Sequence, residues 1–160
     1  MAKVPVEFTL NGNEVAEFVD AGATLLSVLR GKALDMSVKG GCHQGTCGAY
    51  SVIIDGQLKL ACLTLAESCK DARIETVVSL AHGSRLHPLQ RAFVDHFATQ
   101  CGFCTSGMIL AAKVLLDHNP APTRADAIDA ISGNICRCTG YEPIIQAILA
   151  AALAASSTAA

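Results

Sequence analysis

Apolar and polar residues alternate along the first part of the chain with the two-residue period of β-strands. The segment VPVEFTL alternates, and the pattern returns in VAEFV after Asn11-Gly12, a pair that favours a two-residue hairpin turn. A second hairpin is predicted in YSVIIDGQLKLAC, with its turn at Asp55-Gly56. A short helix, ATLLSVLRG, lies between them. Two hairpins around one helix predict a small β-grasp-like sheet.

From about residue 80 the apolar positions take up the period of amphipathic helices. In HPLQRAFVDHFATQ, Leu89, Phe93 and Phe97 are predicted to share one helical face. Further helices are predicted in TSGMILAAKVLLDHNP, in TRADAIDAISGN with a cap at Thr123, and in EPIIQAILAAAL with Pro143 in its first turn. Four such helices predict a bundle, after a linker in SLAHGSRLH. The tail from Ala155 is expected to fray.

Composition excludes some functions and places the chain in a compartment. A net charge of -2 with 16% charged residues argues against nucleic-acid binding, which needs a basic face. No apolar run reaches about 18 residues, so no membrane span is expected. The N-terminal segment lacks the apolar core of a secretory signal. A cytoplasmic location is therefore expected.

The eight cysteines change the picture most. Structural disulfides are rare in cytosolic proteins, so clustered cysteines there indicate metal binding or redox chemistry. Six of the eight fall in three short pairs: Cys42 and Cys47, Cys101 and Cys104, Cys136 and Cys138. This clustering predicts metal centres.

One complete set of four thiols belongs to the helical half, and we call it the helical site (Cys101, Cys104, Cys136 and Cys138). The segments QCGFCTSGM and GNICRCTGY place both pairs beside predicted helices, whose N-termini favour anionic sulfur. Four cysteines suit either zinc or a [2Fe–2S] centre, and the C-x-C spacing favours iron–sulfur modestly. A catalytic dithiol at Cys101 and Cys104 is a weaker alternative, because the surroundings are helical.

A second set is incomplete, and we call it the loop site (Cys42, Cys47, Cys62 and Tyr50). Plant-type ferredoxins hold [2Fe–2S] with C-x4-C-x2-C and one distant cysteine. Cys42 and Cys47 fit that spacing in a glycine-rich loop, and Cys62 supplies the distant thiol. Tyr50 stands where the third cysteine of the motif is expected.

At this point the chain resembles the small iron–sulfur subunits of the molybdenum hydroxylases, the xanthine oxidase and carbon monoxide dehydrogenase family. The resemblance covers about residues 4 to 150. GCHQGTCGAYSVIIDG resembles the family's GCxxGxCGACxVxxDG, HPLQRAF resembles HPLQxAF, QCGFCTSGM resembles QCGFCTPGM, and GNICRCTGY resembles GNLCRCTGY. An α+β chain is implied, with a β-grasp, plant-type ferredoxin-like domain at residues 1–80 and a four-helix bundle domain at residues 81–160.

The resemblance also implies a role in electron transfer. A large molybdopterin-binding subunit hydroxylates the substrate, and electrons pass to the cluster at the helical site. They continue to the loop-site cluster and leave to FAD on a medium subunit, or to a cytochrome in two-subunit relatives. Gln100 and Cys138 match the residues at the pterin. The assembly implied is a hetero-oligomer such as a dimer of heterotrimers, and no residue of this chain is expected to be catalytic.

Tyr50 leaves four interpretations open. Cys69 could supply the missing thiolate, the Tyr50 phenolate could bind iron, a water or hydroxide could fill the position, or the loop-site cluster could be absent. Because Cys62 and the loop are otherwise intact, the sequence favours a retained cluster with an unusual fourth ligand. Two alternative functions remain at this point: a zinc-stabilised interaction module, and a free-standing ferredoxin.

Overall fold

A single mixed sheet forms the N-terminal half of the protein. The computed structural model describes the backbone of residues 2–158 and the side chains of residues 2–155. The strands are β1 (Lys3–Leu10), β2 (Asn13–Asp20), β3 (Ser51–Ile54), β4 (Gln57–Leu60) and β5 (Arg73–Glu75). Their order in the sheet is β2-β1-β5-β3-β4. The central strand β5 runs parallel to β1 and antiparallel to β3.

Both predicted hairpins are confirmed. Leu10 pairs with Asn13 across the first turn, and Ile54 pairs with Gln57 across the second. The turn residues have positive φ in each case: 51° and 84° at Asn11-Gly12, and 48° and 81° at Asp55-Gly56. Two successive residues with positive φ match the twist of the flanking strands, and Asn, Asp and Gly adopt that conformation with little strain.

One helix and two short 3-10 turns complete this half. Helix α1 (Leu25–Gly31) begins at Thr24, whose hydroxyl accepts a hydrogen bond from the N–H of Ser27. The 3-10 turns are Ala66–Cys69 and Val77–Leu80. Apolar residues of α1 pack on the sheet in a core that also contains Tyr50.

The C-terminal half is helical. It contains α2 (Pro88–Asp95), α3 (Thr105–His118), α4 (Arg124–Ala130) and α5 (Glu142–Thr158). Helix α5 packs against the other three and forms with them a second core, into which Ile144 and Ile148 are fully buried. The chain is therefore a mixed α/β protein. Helix α5 continues to Thr158, through most of the tail predicted to fray from Ala155, and residues 159–160 lie outside the described part.

The prediction for Phe97 is wrong. Helix α2 ends at Asp95, and Phe97 has a φ of 52° with 83% of its surface exposed. The N–H of Ala98 instead donates a hydrogen bond to the carbonyl of Phe93, and this bond ends the helix. The apolar face of α2 therefore contains Leu89 and Phe93 without Phe97. Helix α4 ends at Ala130 with Ile131 as its C-cap, before the end of the segment TRADAIDAISGN in which it is predicted.

The two halves interlock at Gly48 and Gly107. A methyl group built on Gly107 would lie 2.4 Å from the carbonyl oxygen of Gly48. The buried side chain of Asn134 donates a hydrogen bond to the same carbonyl over 3.0 Å, and the N–H of Ile135 donates to the carbonyl of Cys47 over 2.9 Å. These contacts join the loop that carries Cys47 to the segment that carries Cys136.

His87 is the N-cap of α2, and the hydrogen bond that its side chain accepts depends on its protonation state. Its Nδ1 accepts a hydrogen bond from the N–H of Leu89 over 3.2 Å, and its own N–H donates to the side chain of Gln90. Burial, with a smaller contribution from Lys113, lowers the pKa of His87. Protonation would remove the acceptor, so the neutral form stabilises the fold.

We expect the stability contributed by His87 to be lost in acid. Because the pKa is lower in the folded state, the unfolded chain binds the proton first as the pH falls below about 6.5. Replacing His87 with asparagine keeps a capping acceptor that does not titrate. Unfolding midpoints at about pH 8 and about pH 5.5 should fall further for the wild type than for H87N. An equal fall in both proteins would contradict this role.

Candidate metal centre

The helical site is built from two loops that flank helices. Cys104 is the residue that caps the N-terminus of α3, and Cys101 precedes it in the same loop. Cys136 and Cys138 lie between α4 and α5. The structure therefore brings together the four thiols that the sequence assigned to this site.

The four thiols lie as two pairs. The Sγ atoms of Cys101 and Cys138 are 3.6 Å apart, and Cys104 and Cys136 are joined by a hydrogen bond between their side chains. A tetrahedral metal with metal–sulfur bonds of about 2.3 Å places two thiolates about 3.8 Å apart. The Cys101–Cys138 pair is thus spaced to hold one metal atom, and the set of four thiols fits a [2Fe–2S] cluster, in which each iron takes two protein ligands.

The sulfur of Cys136 is contacted by hydrogen-bonding groups of Thr139. The hydroxyl of Thr139 lies 3.0 Å from its Sγ, and the N–H of Thr139 donates to the same sulfur over 3.4 Å. The hydroxyl of Tyr141 accepts a hydrogen bond from the N–H of Cys136 over 2.9 Å. Thr139 and Tyr141 both belong to the GNICRCTGY motif, but the sequence alone indicates no role for either.

Local contacts shift the pKa values of the two buried thiols, Cys104 and Cys136, in opposite directions. Burial is the largest influence and raises the pKa of Cys104 to about 12. Burial also acts on Cys136, but hydrogen bonds from Thr139 and from the N–H of Cys138 outweigh it and lower the pKa of Cys136. Cys136 therefore gives up its proton more readily than Cys104, with which it shares a hydrogen bond. Binding metal here would release the protons that these thiols hold, since only thiolates are ligands.

One edge of the helical site is open. Cys101 and Cys138 are exposed, whereas Cys104 and Cys136 are each only 8% exposed. Gln100, which directly precedes Cys101, is exposed as well. The pair Cys101 and Cys138 therefore faces outward, and the pair Cys104 and Cys136 faces the core.

The loop site brings its three cysteines near one another. Cys42 and Cys47 share a side-chain hydrogen bond, and both are close enough to raise the pKa of Cys62, although burial is the larger cause. The N–H of Thr46 donates to Sγ of Cys42 over 3.2 Å. Hydrogen bonds, foremost that of the Gln44 N–H, lower the pKa of Cys42 to about 5. Cys42 is therefore a thiolate at neutral pH.

The side chain of Tyr50 lies close to the cysteines of the loop site. Its side chain is fully buried, and its hydroxyl accepts a hydrogen bond from the N–H of His43 and contacts Sγ of Cys42. Burial, followed by the nearby thiols, raises the pKa of Tyr50 to about 12. The phenol is therefore protonated and donates to the Cys42 thiolate. With the phenol in this position, the residues present do not fit a four-ligand [2Fe–2S] cluster at the loop site.

Cys69 lies apart from the loop site. It ends the first 3-10 turn, is 2% exposed, and its Sγ lies 3.6 Å from the carbonyl of Leu65. Burial raises the pKa of Cys69, with smaller effects from Ser68 and Asp55. Its surroundings are those of a thiol packed in the β-sheet core.

A single-ion site is not formed in the part of the chain that the structure describes. Within residues 2–158, no three side chains from His, Cys, Asp and Glu converge as they would around one metal ion. Over the same residues, no helix has the length and apolar character needed to cross a membrane.

Comparison with known families matches this chain to a cluster-binding domain. Residues 76–149 match the model of a [2Fe–2S] binding domain. That match covers the segment from the second 3-10 turn into α5 and includes all four cysteines of the helical site.

Relatives of similar length agree over most of the chain. The nicotine 6-hydroxylase small subunit of Paenarthrobacter nicotinovorans is 44% identical over 92% of this chain and 88% of its own. The nicotinate dehydrogenase small FeS subunit of Eubacterium barkeri is 41% identical over 92% of this chain and 94% of its own. Among solved structures, quinoline 2-oxidoreductase from Pseudomonas putida 86 superposes with a TM-score of 0.93 at 42% identity, covering 98% of both chains.

Proposed function

The chain belongs to the molybdenum hydroxylase family as an iron–sulfur subunit, and we propose that its helical site holds the [2Fe–2S] cluster through which it transfers electrons. The subunit is an electron-transfer component of an oxidoreductase and is not itself catalytic. The observation that carries the proposal is the arrangement of the four thiols as two chelating pairs inside the matched domain. A zinc ion would need four ligands around one point, whereas a two-iron cluster needs two pairs.

The four cysteines of the helical site differ in exposure: two are buried and two are exposed. When bound, a [2Fe–2S] cluster takes up and releases one electron at a time. Cys104 and Cys136 would hold the cluster on the buried side, where Thr139 donates hydrogen bonds to the Cys136 sulfur. Such hydrogen bonds stabilise the thiolate and help set the reduction potential. Cys101 and Cys138, which are exposed, would hold the cluster on the side that we propose a partner covers.

The exposed edge of the helical site supports the proposal of a partner subunit that carries molybdopterin. Gln100 and Cys138, which match the family residues at the pterin, are both exposed at this edge. We propose that a large molybdopterin-binding subunit covers it and that these two residues contact the pterin. The acceptor of the electrons is proposed to be FAD on a medium subunit, or alternatively a cytochrome. A dimer of heterotrimers stays the predicted assembly.

The observed elements support a division into two domains. We propose a β-grasp, ferredoxin-like domain at residues 1–80 and a four-helix bundle at residues 81–160. The sheet order with a central β5, and the packing of α5 against α2, α3 and α4, support this division. That Cys42, Cys47 and Cys62 bind a second cluster is a prediction from the sequence alone.

Metal analysis and spectroscopy of the purified complex test the function. The wild-type complex should contain iron in place of zinc, and reduction with dithionite should produce the EPR signal of a [2Fe–2S] centre. The large subunit should co-purify with this chain. A colourless complex with zinc and no iron would reject the electron-transfer function, and an iron-containing chain that purifies alone would reject the partner.

A further inference from the structure

The Tyr50 phenol is hydrogen-bonded on both sides without any metal. Its oxygen accepts from the N–H of His43 and donates to Sγ of Cys42. The side chain is 0% exposed, so both bonds lie inside the protein. A buried hydroxyl with its donor and acceptor both used is stable as it stands. Nothing in this arrangement requires an iron ligand to complete it.

The Tyr50 side chain is buried among close neighbours. A methyl group built on Gly41 would lie 3.5 Å from that oxygen, 2.9 Å from Sγ of Cys47 and 3.6 Å from the ring of Phe103. The imidazole of His43 packs edge-on against the Tyr50 ring, with ring centres 5.5 Å apart. The Gly41 backbone and the His43 ring thus lie close to the Tyr50 side chain, and a methyl group on Gly41 would meet both the phenol oxygen and the Cys47 sulfur.

The phenol oxygen also lies on the wrong side to complete a cluster. Each iron of a [2Fe–2S] centre takes two protein ligands. Cys42 and Cys47 are hydrogen-bonded to each other and would share one iron, which leaves Cys62 and residue 50 to share the second. Ligands of different irons are separated by the whole cluster core. The Tyr50 hydroxyl instead contacts Cys42, a ligand of the other iron, and this contact leaves no space for a cluster core between the two side chains.

We propose that Tyr50 fills the loop site in place of a cluster, so that the protein carries a single [2Fe–2S] centre at the helical site. This inference rests on the proposed function for the presence of that one centre. A cysteine side chain at position 50 would end about one bond beyond its Cβ and leave the space free, whereas the phenol extends across it. Electrons that enter the helical site therefore also leave from it, without a second centre in this chain.

Iron content and EPR of the dithionite-reduced complex test the proposal with two variants. The wild type should contain about two irons per chain and give one [2Fe–2S] signal. Replacing Tyr50 with cysteine restores the four-cysteine pattern and should raise the content to about four irons with a second, distinct signal. Replacing Tyr50 with phenylalanine removes only the hydroxyl and should leave about two irons and one signal.

Each other outcome is decisive. A wild type with about four irons and two signals would overturn the proposal, and loss of one signal in Y50F would then identify the phenolate as a ligand. A Y50C complex that stays at about two irons would show that Tyr50 is not what excludes the cluster. If Y50C does not fold, the wild-type iron count decides alone. A wild type without iron would refute the proposed function instead, which separates the two failures.

Discussion

Replacing Cys136 with serine should empty the helical site of iron. Cys136 is buried, pairs with Cys104 and receives two hydrogen bonds from Thr139, so its thiolate is the best-supported ligand of the four. A serine hydroxyl is not ionised at neutral pH and binds iron poorly compared with thiolate. The iron assigned to this site, about two atoms per chain, should fall to near zero, and the EPR signal should disappear.

Cys69 provides the matched control for that variant. It is a buried thiol like Cys136 but lies against the carbonyl of Leu65, away from both sites. The C69S complex should retain its iron and its signal. Because a bound cluster also stabilises the folded state, C136S should unfold at a lower temperature than C69S. Iron retained in C136S, or lost equally in both variants, would contradict the assignment of the helical site.

Replacing Gly107 with alanine should destabilise the protein although alanine favours helices. The added methyl would lie 2.4 Å from the carbonyl oxygen of Gly48 and 2.8 Å from the amide nitrogen of Asn134. A backbone carbonyl fixed between two packed halves cannot move aside easily. Overpacking of this kind costs about 1–3 kcal/mol, more than the roughly 1 kcal/mol that alanine gains over glycine within a helix.

Gly133 supplies the control for this substitution. A methyl group built there meets no atom within 4 Å, so G133A should unfold at nearly the wild-type denaturant concentration. Equilibrium unfolding in urea, followed by circular dichroism, measures both variants. A G107A protein as stable as the wild type would mean that the contact between α3 and the Gly48 loop is soft, and that the two halves are not held rigidly together.

Local turn chemistry explains why the hairpins could be predicted. Asn11-Gly12 and Asp55-Gly56 both require positive φ, and few residue pairs tolerate it, so the sequence signal is specific. The cap of α4 is similar, because Thr123 and Asp126 satisfy each other's backbone three residues apart. In each case the structure is determined by residues that are adjacent in the sequence.

Features that depend on distant partners could not be predicted in this way. Strand β5 has only three residues, and its place in the sheet comes from pairing with β1, more than 60 positions earlier. Phe97 continues the apolar period of α2, but the chain turns after Asp95 and leaves the ring exposed. Asn134 holds the Gly48 carbonyl 86 positions away, and no local pattern reveals that contact.

The helical site and the loop site also differ in how far the sequence alone predicts them. The spacing within each cysteine pair, together with the flanking motifs, predicts one shared site for four thiols, and the structure places these thiols in two pairs, Cys101 with Cys138 and Cys104 with Cys136. At the loop site the sequence left four interpretations of Tyr50, because the choice depends on where a long side chain points. The structure gives that direction: towards Cys42 and the N–H of His43.

The open edge at Cys101 and Cys138 has a consequence for biogenesis. The same edge would admit iron and sulfide to the helical site and would later be covered by the proposed large subunit. Cluster insertion must then precede docking, since a docked partner would block delivery. A chain released before docking would present its centre to oxygen, so the cell would need to couple maturation of this subunit closely to supply of its partner.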